Sequence, residues 1–159
     1  MRRIYVAVVG AGACDEAIAA AAEEVGRGLG EAGVVLVCGG RGGVMEAACR
    51  GAKAAGGLTL GILPGEERRD ANAFVEVALP TGLGEARNAL VVRAADAVIA
   101  IAGEYGTLSE IALALKMGKP VIGLGTWELA KAGQPVAAIL AAAGPSDAVD
   151  KALRAATHA

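Results

Sequence analysis

Along most of this chain a short run of β-branched and aliphatic residues gives way, across glycine, to a longer alanine-rich segment. RIYVAVVG (3–10), VVLVCGG (34–40), LTLGILPG (58–65), AVIAIAG (97–103) and PVIGLGTW (120–127) read as strands, and FVEVAL (74–79) as a short one. Between them lie segments with helical spacing: 15–33, opened by Asp15 and closed at Gly33; 43–56; 83–96, with Arg87, Leu90, Val91 and Ala94 on one face; and 106–118, ended by Gly118 with Pro120 beyond it. A closing helix, 146–156, is expected to be capped by Ser146, and VAAILAA (136–142) stays open between strand and helix. Continuously apolar strands alternating with helices require a parallel sheet covered on both sides. The expected fold is therefore α/β: one Rossmann-like domain over 1–159, a doubly wound, mostly parallel sheet with helices on both faces and right-handed crossovers.

Composition narrows the function classes. Hydrophobic residues make up 55% but aromatics only 3%, so the core must be built of Ala, Val, Leu and Ile. A net charge of −2 supplies no basic field for a nucleic acid backbone, and the adjacent Arg68 and Arg69 read as a solvated loop. The three cysteines, Cys14, Cys38 and Cys49, lack metal-type spacing, and the single histidine, His158, is beside the C-terminus. Zinc and a histidine-dependent triad are not expected; reduced, buried cysteines in a cytoplasmic protein are. MRRIYVAVVGAG starts like an export signal, but its apolar run meets glycines too soon and reads as a first strand; no later run could span a bilayer.

In an open parallel sheet ligands bind beyond the carboxyl ends of the strands, and three glycine-bearing ends compete for that role. After the first strand, Gly10 and Gly12 give G-x-G, but Asp15 stands where a dinucleotide fingerprint has its third glycine. The second end, CGGRGGVMEAA, puts Gly39, Gly40, Gly42 and Gly43 around Arg41 at a helix start, where free amides and a guanidinium suit an anion; no G-K-[ST] follows. The third is IAGEYGTLSE, with Gly103, Glu104, Tyr105, Gly106 and Thr107 leading into a helix whose first turn holds Glu110. T-L-S-E also fits a capping box, in which Glu110 would bond back to the cap amide, and motif chemistry alone leaves the two readings level.

Three ordered stretches, GGRGGVMEAACRGA, ARNALVVRAADAVIAIAGEYGTLSE and LALKMGKPVIGL, covering about residues 4–127, resemble the superfamily of the LONELY GUY cytokinin-activating phosphoribohydrolases and the molybdenum cofactor carrier proteins. The short, carrier-like branch is the nearer. In the phosphoribohydrolases the signature is P-G-G-x-G-T-x-x-E with an upstream M-H-x-R-K, and its Glu and Arg are needed to break an N-glycosidic bond. By position the resemblance assigns those roles to Glu110 and Arg87, the phosphate to Gly103, Gly106 and Thr107, and the wall of the cleft to the 39–43 loop. A carboxylate beside the ribose would stabilise the charge that develops as the base leaves, and arginine would anchor phosphate. Ala102 and Glu104 replace the proline and second glycine, Gly84-Glu85 replace Met-His, and Asn88 replaces the lysine.

The resemblance thus implies a binding protein for a phosphorylated heterocycle, a nucleotide or molybdopterin-type cofactor carried as cargo, with no cofactor needed for chemistry. Its alternative is a nucleoside 5′-monophosphate phosphoribohydrolase using Glu110 and Arg87. The lysine decarboxylase label attached to relatives finds no support, because the lysines fall at expected helix ends or polar faces rather than where a Schiff base could form. Single-stranded DNA binding, suggested by the related core of DNA-processing protein A, would need a basic groove and stacking aromatics that this composition lacks. Relatives also imply a homo-oligomer, a dimer or tetramer.

Overall fold

The computed structural model describes residues 2–158. Among the described residues, nine strands and five α-helices follow in the order β1 (Tyr5–Gly10), α1 (Glu16–Glu31), β2 (Val35–Cys38), α2 (Val44–Ala54), β3 (Leu58–Leu63), β4 (Val77–Pro80), α3 (Asn88–Arg93), β5 (Ala97–Ile101), α4 (Tyr105–Lys116), β6 (Val121–Leu124), β7 (Leu129–Lys131), β8 (Gln134–Val136), β9 (Ile139–Ala141) and α5 (Pro145–Thr157). Seven strands form one sheet in the order β4-β3-β2-β1-β5-β6-β9. Every pairing in it is parallel. The winding reverses between β1 and β5: the chain steps outward from β1 to β4, returns through α3, and continues from β5 on the other side.

Alternate side chains of one strand feed two separate cores. Val6, Val8, Leu36, Ile99 and Ile101 pack towards α1, α2 and α5. Ala7, Val9, Val35, Val37, Val98 and Ala100 pack towards α3 and α4. This two-sided burial is why the strands read as unbroken apolar runs, and it bears out the doubly wound α/β expectation.

With so few aromatics, backbone proximity replaces bulk. A Cβ added at Gly26 of α1 would lie 1.9 Å from the Ala48 carbonyl oxygen of α2, and one at Gly51 would lie 2.0 Å from that of Glu23. The two helices cross almost backbone to backbone.

Several boundaries differ from expectation. The segment 83–96 is split: a 3-10 turn, Gly84–Arg87, which opens on Gly84 at φ +60°, precedes a six-residue α3. Its buried side is Asn88, Val91 and Val92, while Leu90 stays 42% exposed. The closing helix is capped at Gly144 with Pro145 in its first turn, not by Ser146, as proline's fixed φ suits a helix start. The open segment 136–142 contributes β9, and β7 and β8 form an unanticipated antiparallel hairpin. Cys38 and Cys49 are buried with their sulfurs 3.5 Å apart, whereas Cys14 is only partly covered.

Candidate functional site

A cleft of about 330 Å³ opens at the carboxyl edge of the sheet, at the reversal of winding where open α/β sheets bind ligands. Gly10 ends β1 and Gly39 follows β2; Arg87 and Asn88 enter from the junction of the 3-10 turn and α3; Gly106, Thr107 and Glu110 come from the first half of α4. Seven of the residues singled out in the sequence are thus brought to one place.

Arg87 is held by the backbone it approaches. Its Nη2 donates to the Gly39 carbonyl at 3.3 Å and its Nη1 donates to the Asn88 side-chain oxygen. A Cβ on residue 39 would stand 2.6 Å from Nη2, so glycine there makes room for the guanidinium. The Nε–H is buried and has no partner among the described residues. Burial lowers the proton affinity of Arg87 from the ordinary arginine value, an effect opposed by Glu110 and Cys38 and reinforced by Arg41. Such a group, half-desolvated with a donor unused, favours an anion in the cleft.

Glu110 is not a capping residue. α4 starts at Tyr105, its N-cap is Glu104, and no side chain caps it, so Thr107 is the third helical residue and Glu110 the sixth. The T-L-S-E pattern sits too far along the helix for the reciprocal bonds of a capping box. Glu110 is instead 9% exposed. Burial pushes its carboxyl up to about 7, against the pull of Arg87. Near neutral pH this group can either accept or donate a proton, the condition general acid–base chemistry needs.

The turn before α4 is tight and partly strained. Gly103 has φ +93°, and a Cβ there would lie 2.2 Å from the Thr107 hydroxyl oxygen. Ala102 has φ +48°, a conformation closed to proline, so the chain could not carry the P-G-G form of this loop in its present shape. Replacing Ala102 by glycine relieves the left-handed strain but frees the unfolded chain; a net gain of about 0.5–1 kcal/mol is expected. Urea unfolding at fixed m-value checks it, and a loss of stability would contradict the assigned strain. Beyond the turn, the first amides of α4 have no acceptor within the helix, which leaves donors that suit an anion.

The other glycines do different work. A Cβ at Gly43 would lie 2.2 Å from the Ala11 carbonyl, to which Val44 N–H also donates, so Gly42 and Gly43 pack the second glycine loop against the first loop near Gly12. Gly40 lies against Leu63. Arg41 is exposed, with its carbonyl accepting from the Asn72 amide. Gly12, Gly40, Arg41, Gly42 and Gly43 therefore support the cleft without lining it. Gly103 and Glu104 border a neighbouring hollow of about 550 Å³, together with Gly125, Thr126, Trp127 and Glu128. Met45, Pro64 and Glu85 also line the cleft without having been singled out as site residues. Pro64 could have been found from its place just past β3, at the same edge as the glycine ends.

Among the described residues no group of three His, Cys, Asp or Glu could hold a metal ion, and no helix is long and apolar enough to cross a membrane. No lysine lines the cleft.

The SLOG cluster4 family model matches residues 3–149. An uncharacterized protein of Archaeoglobus fulgidus is 47% identical over 125 residues, 78% of this chain and 82% of that protein. Among solved structures, the molybdenum cofactor binding protein from the phototrophic bacterium Rippkaea orientalis superposes with a TM-score of 0.84 at 37% identity, covering 95% of this chain and 96% of that one. The molybdenum cofactor carrier protein of Chlamydomonas reinhardtii gives 0.85 at 32% identity, covering 98% and 99%.

Proposed function

We propose that this chain, which belongs to the SLOG cluster4 family, binds a phosphorylated heterocycle in the cleft and carries it intact, a molybdopterin-type cofactor being the first cargo to consider. The observation that carries this reading is the Arg87 guanidinium, half-buried with an unpartnered Nε–H, set in the same cleft as the start of α4. Phosphate is the group that satisfies both sets of donors. The similarity to molybdenum cofactor binding and carrier proteins supports a pterin phosphate over other anions. Gly106, Thr107 and Arg87 would hold the phosphate, Asn88 would keep Arg87 in place, and Glu110 would face the remainder of the ligand.

Calorimetric titration with a pterin monophosphate and with GMP tests this. Arg87→Ala is expected to weaken binding about 10- to 100-fold, the range for charge-assisted hydrogen bonds, with Arg87→Lys intermediate. Unchanged affinity in Arg87→Ala would remove the phosphate from this cleft.

One observation favours a second reading, hydrolysis of the N-glycosidic bond of a nucleoside monophosphate: Glu110 titrates near neutrality beside the same arginine. Release of free base that disappears in Glu110→Gln would establish it.

A homo-oligomer accompanies either reading. Val77 and Leu79 of the edge strand are 42% and 46% exposed, and their register partners Leu60 and Ile62 face the α3/α4 side. With Leu83 and Leu90 they leave an apolar strip beside the two-turn α3, which a second copy of the chain would cover. Sedimentation of the wild type against Leu79→Glu reads this directly: dissociation supports it, and a wild-type monomer opposes it.

A further inference from the structure

We propose that Tyr105, braced by Trp127, is the stacking platform for the planar ring of the ligand, and that this ring is a fused nitrogen heterocycle presenting N–H donors, of pterin or guanine type. The inference rests on the reading of the cleft as a phosphate site.

Of the chain's four aromatic side chains, Tyr105 and Trp127 meet beside the outer hollow, which Trp127 lines and Tyr105 flanks from the start of α4. Tyr5 and Phe74 are packed against the cores. Tyr105 is 77% exposed at the first position of α4, directly before Gly106 and Thr107. Its ring centroid lies 5.8 Å from that of Trp127 with the planes 32° apart, so one face of the pair is already occupied and the other is open. Trp127 is fixed: its indole N–H donates to the Glu104 carbonyl at 3.1 Å, and the hydroxyl of its neighbour Thr126 donates to the Ala102 carbonyl at 2.6 Å. Two loops are thus tied together around the turn that precedes α4, and they hold an aromatic surface one residue from the free amides.

A cation distinguishes the two hollows beside that turn. The cleft is lined by Glu85 and Glu110 as well, but it sets Arg87 beside them with its Nε–H unused, so an anion there has a guanidinium to meet. The outer hollow has the carboxylates of Glu104 and Glu128 and no cation. A phosphate is repelled there, whereas the amino and ring N–H edge of a pterin or guanine finds acceptors. This resolves the place of Glu104, an acid within an otherwise anion-binding turn: it is exposed and borders the ring side.

Trp127 is the sole tryptophan, so its fluorescence reports this rim alone. The test titrates GMP, a pterin monophosphate and ribose 5-phosphate into wild type, Tyr105→Ala and Tyr105→Phe, following both heat and tryptophan emission. Tyr105→Ala is expected to weaken the two ring-bearing ligands about tenfold, to leave ribose 5-phosphate unchanged, and to be rescued by Tyr105→Phe. The tighter of the two ring ligands names the source of the ring. Heat of binding for the ring ligands that is unaltered in Tyr105→Ala, or an equal loss for ribose 5-phosphate, overturns the platform while phosphate binding stands. Absence of binding by all three ligands to wild type removes the cleft reading itself, and the platform with it.

Discussion

Glu110→Gln is expected to raise the melting temperature at pH 8 and to leave it almost unchanged at pH 4. The carboxyl titrates near 7 in the folded protein because burial disfavours its charge. In the unfolded chain it titrates at an ordinary glutamate value, about 4.3. Between those values the unfolded state releases a proton that the folded state keeps, so stability falls as pH rises and the contribution present below pH 4 is gone above 7. The shift corresponds to about 4 kcal/mol, or roughly 8–16 °C for a chain of this size. Glutamine keeps the shape and cannot ionise, so the difference between the two proteins isolates this one group. A melting-temperature difference that does not change between pH 4 and pH 8 would contradict the assigned titration. The chain tolerates this cost at its cleft, which is the pattern of a residue retained for the ligand rather than for the fold.

The second large effect is in the scaffold. Gly26→Ala should destabilise by about 3 kcal/mol or more, the upper end of overpacking penalties, although alanine within a helix ordinarily stabilises by about 1 kcal/mol over glycine. The reversal follows from position: the new methyl would lie 1.9 Å from the Ala48 carbonyl oxygen, and relief requires the α1 and α2 backbones to separate. Gly106→Ala is the control, since its Cβ meets nothing within 4 Å and should be neutral or slightly stabilising. Denaturant midpoints at constant m-value for both variants check the pair. A Gly26→Ala variant as stable as Gly106→Ala would mean that the helices are not in backbone contact.

The doubly wound sheet was legible because its strands are buried on both sides. Val6 and Val8 serve one core and Ala7 and Val9 the other, so no polar alternation interrupts the run. The hairpin of β7 and β8 was not, and its turn explains why. Ala132 and Gly133 take φ +50° and +78°, the geometry that Asn-Gly usually announces, and Ala-Gly carries no such signal. Over 83–96 the expected helix starts late: Gly84 takes a positive φ that periodicity cannot register, and a 3-10 turn stands before α3.

At the site, the glycine-rich strand ends marked the right edge of the sheet, but glycine alone did not say what each was for. Gly39 makes room for Arg87, and Gly43 lets two loops touch. The capping-box reading of Thr107 and Glu110 was a matter of three residues: the N-cap is Glu104 rather than Thr107, and that shift turns Glu110 from the helix end into the cleft. Arg87 stood out by resemblance rather than by pattern, since the face expected to hold it, with Leu90, Val91 and Ala94, is otherwise apolar and carries no ligand signal. The pairing of Trp127 with Tyr105 depends on residues 22 positions apart and had no local signature.

The central claim, binding without consumption, is tested most directly by following what becomes of the ligand. Protein at a concentration above the dissociation constant is incubated with GMP, AMP and a pterin monophosphate, bound and free fractions are separated, and both are resolved by chromatography. Intact ligand recovered in the bound fraction, in proportion to protein and with no free base accumulating over many turnover times of a typical enzyme, is the predicted result. Base released catalytically, and abolished in Glu110→Gln, would contradict the account and make the cleft an active site.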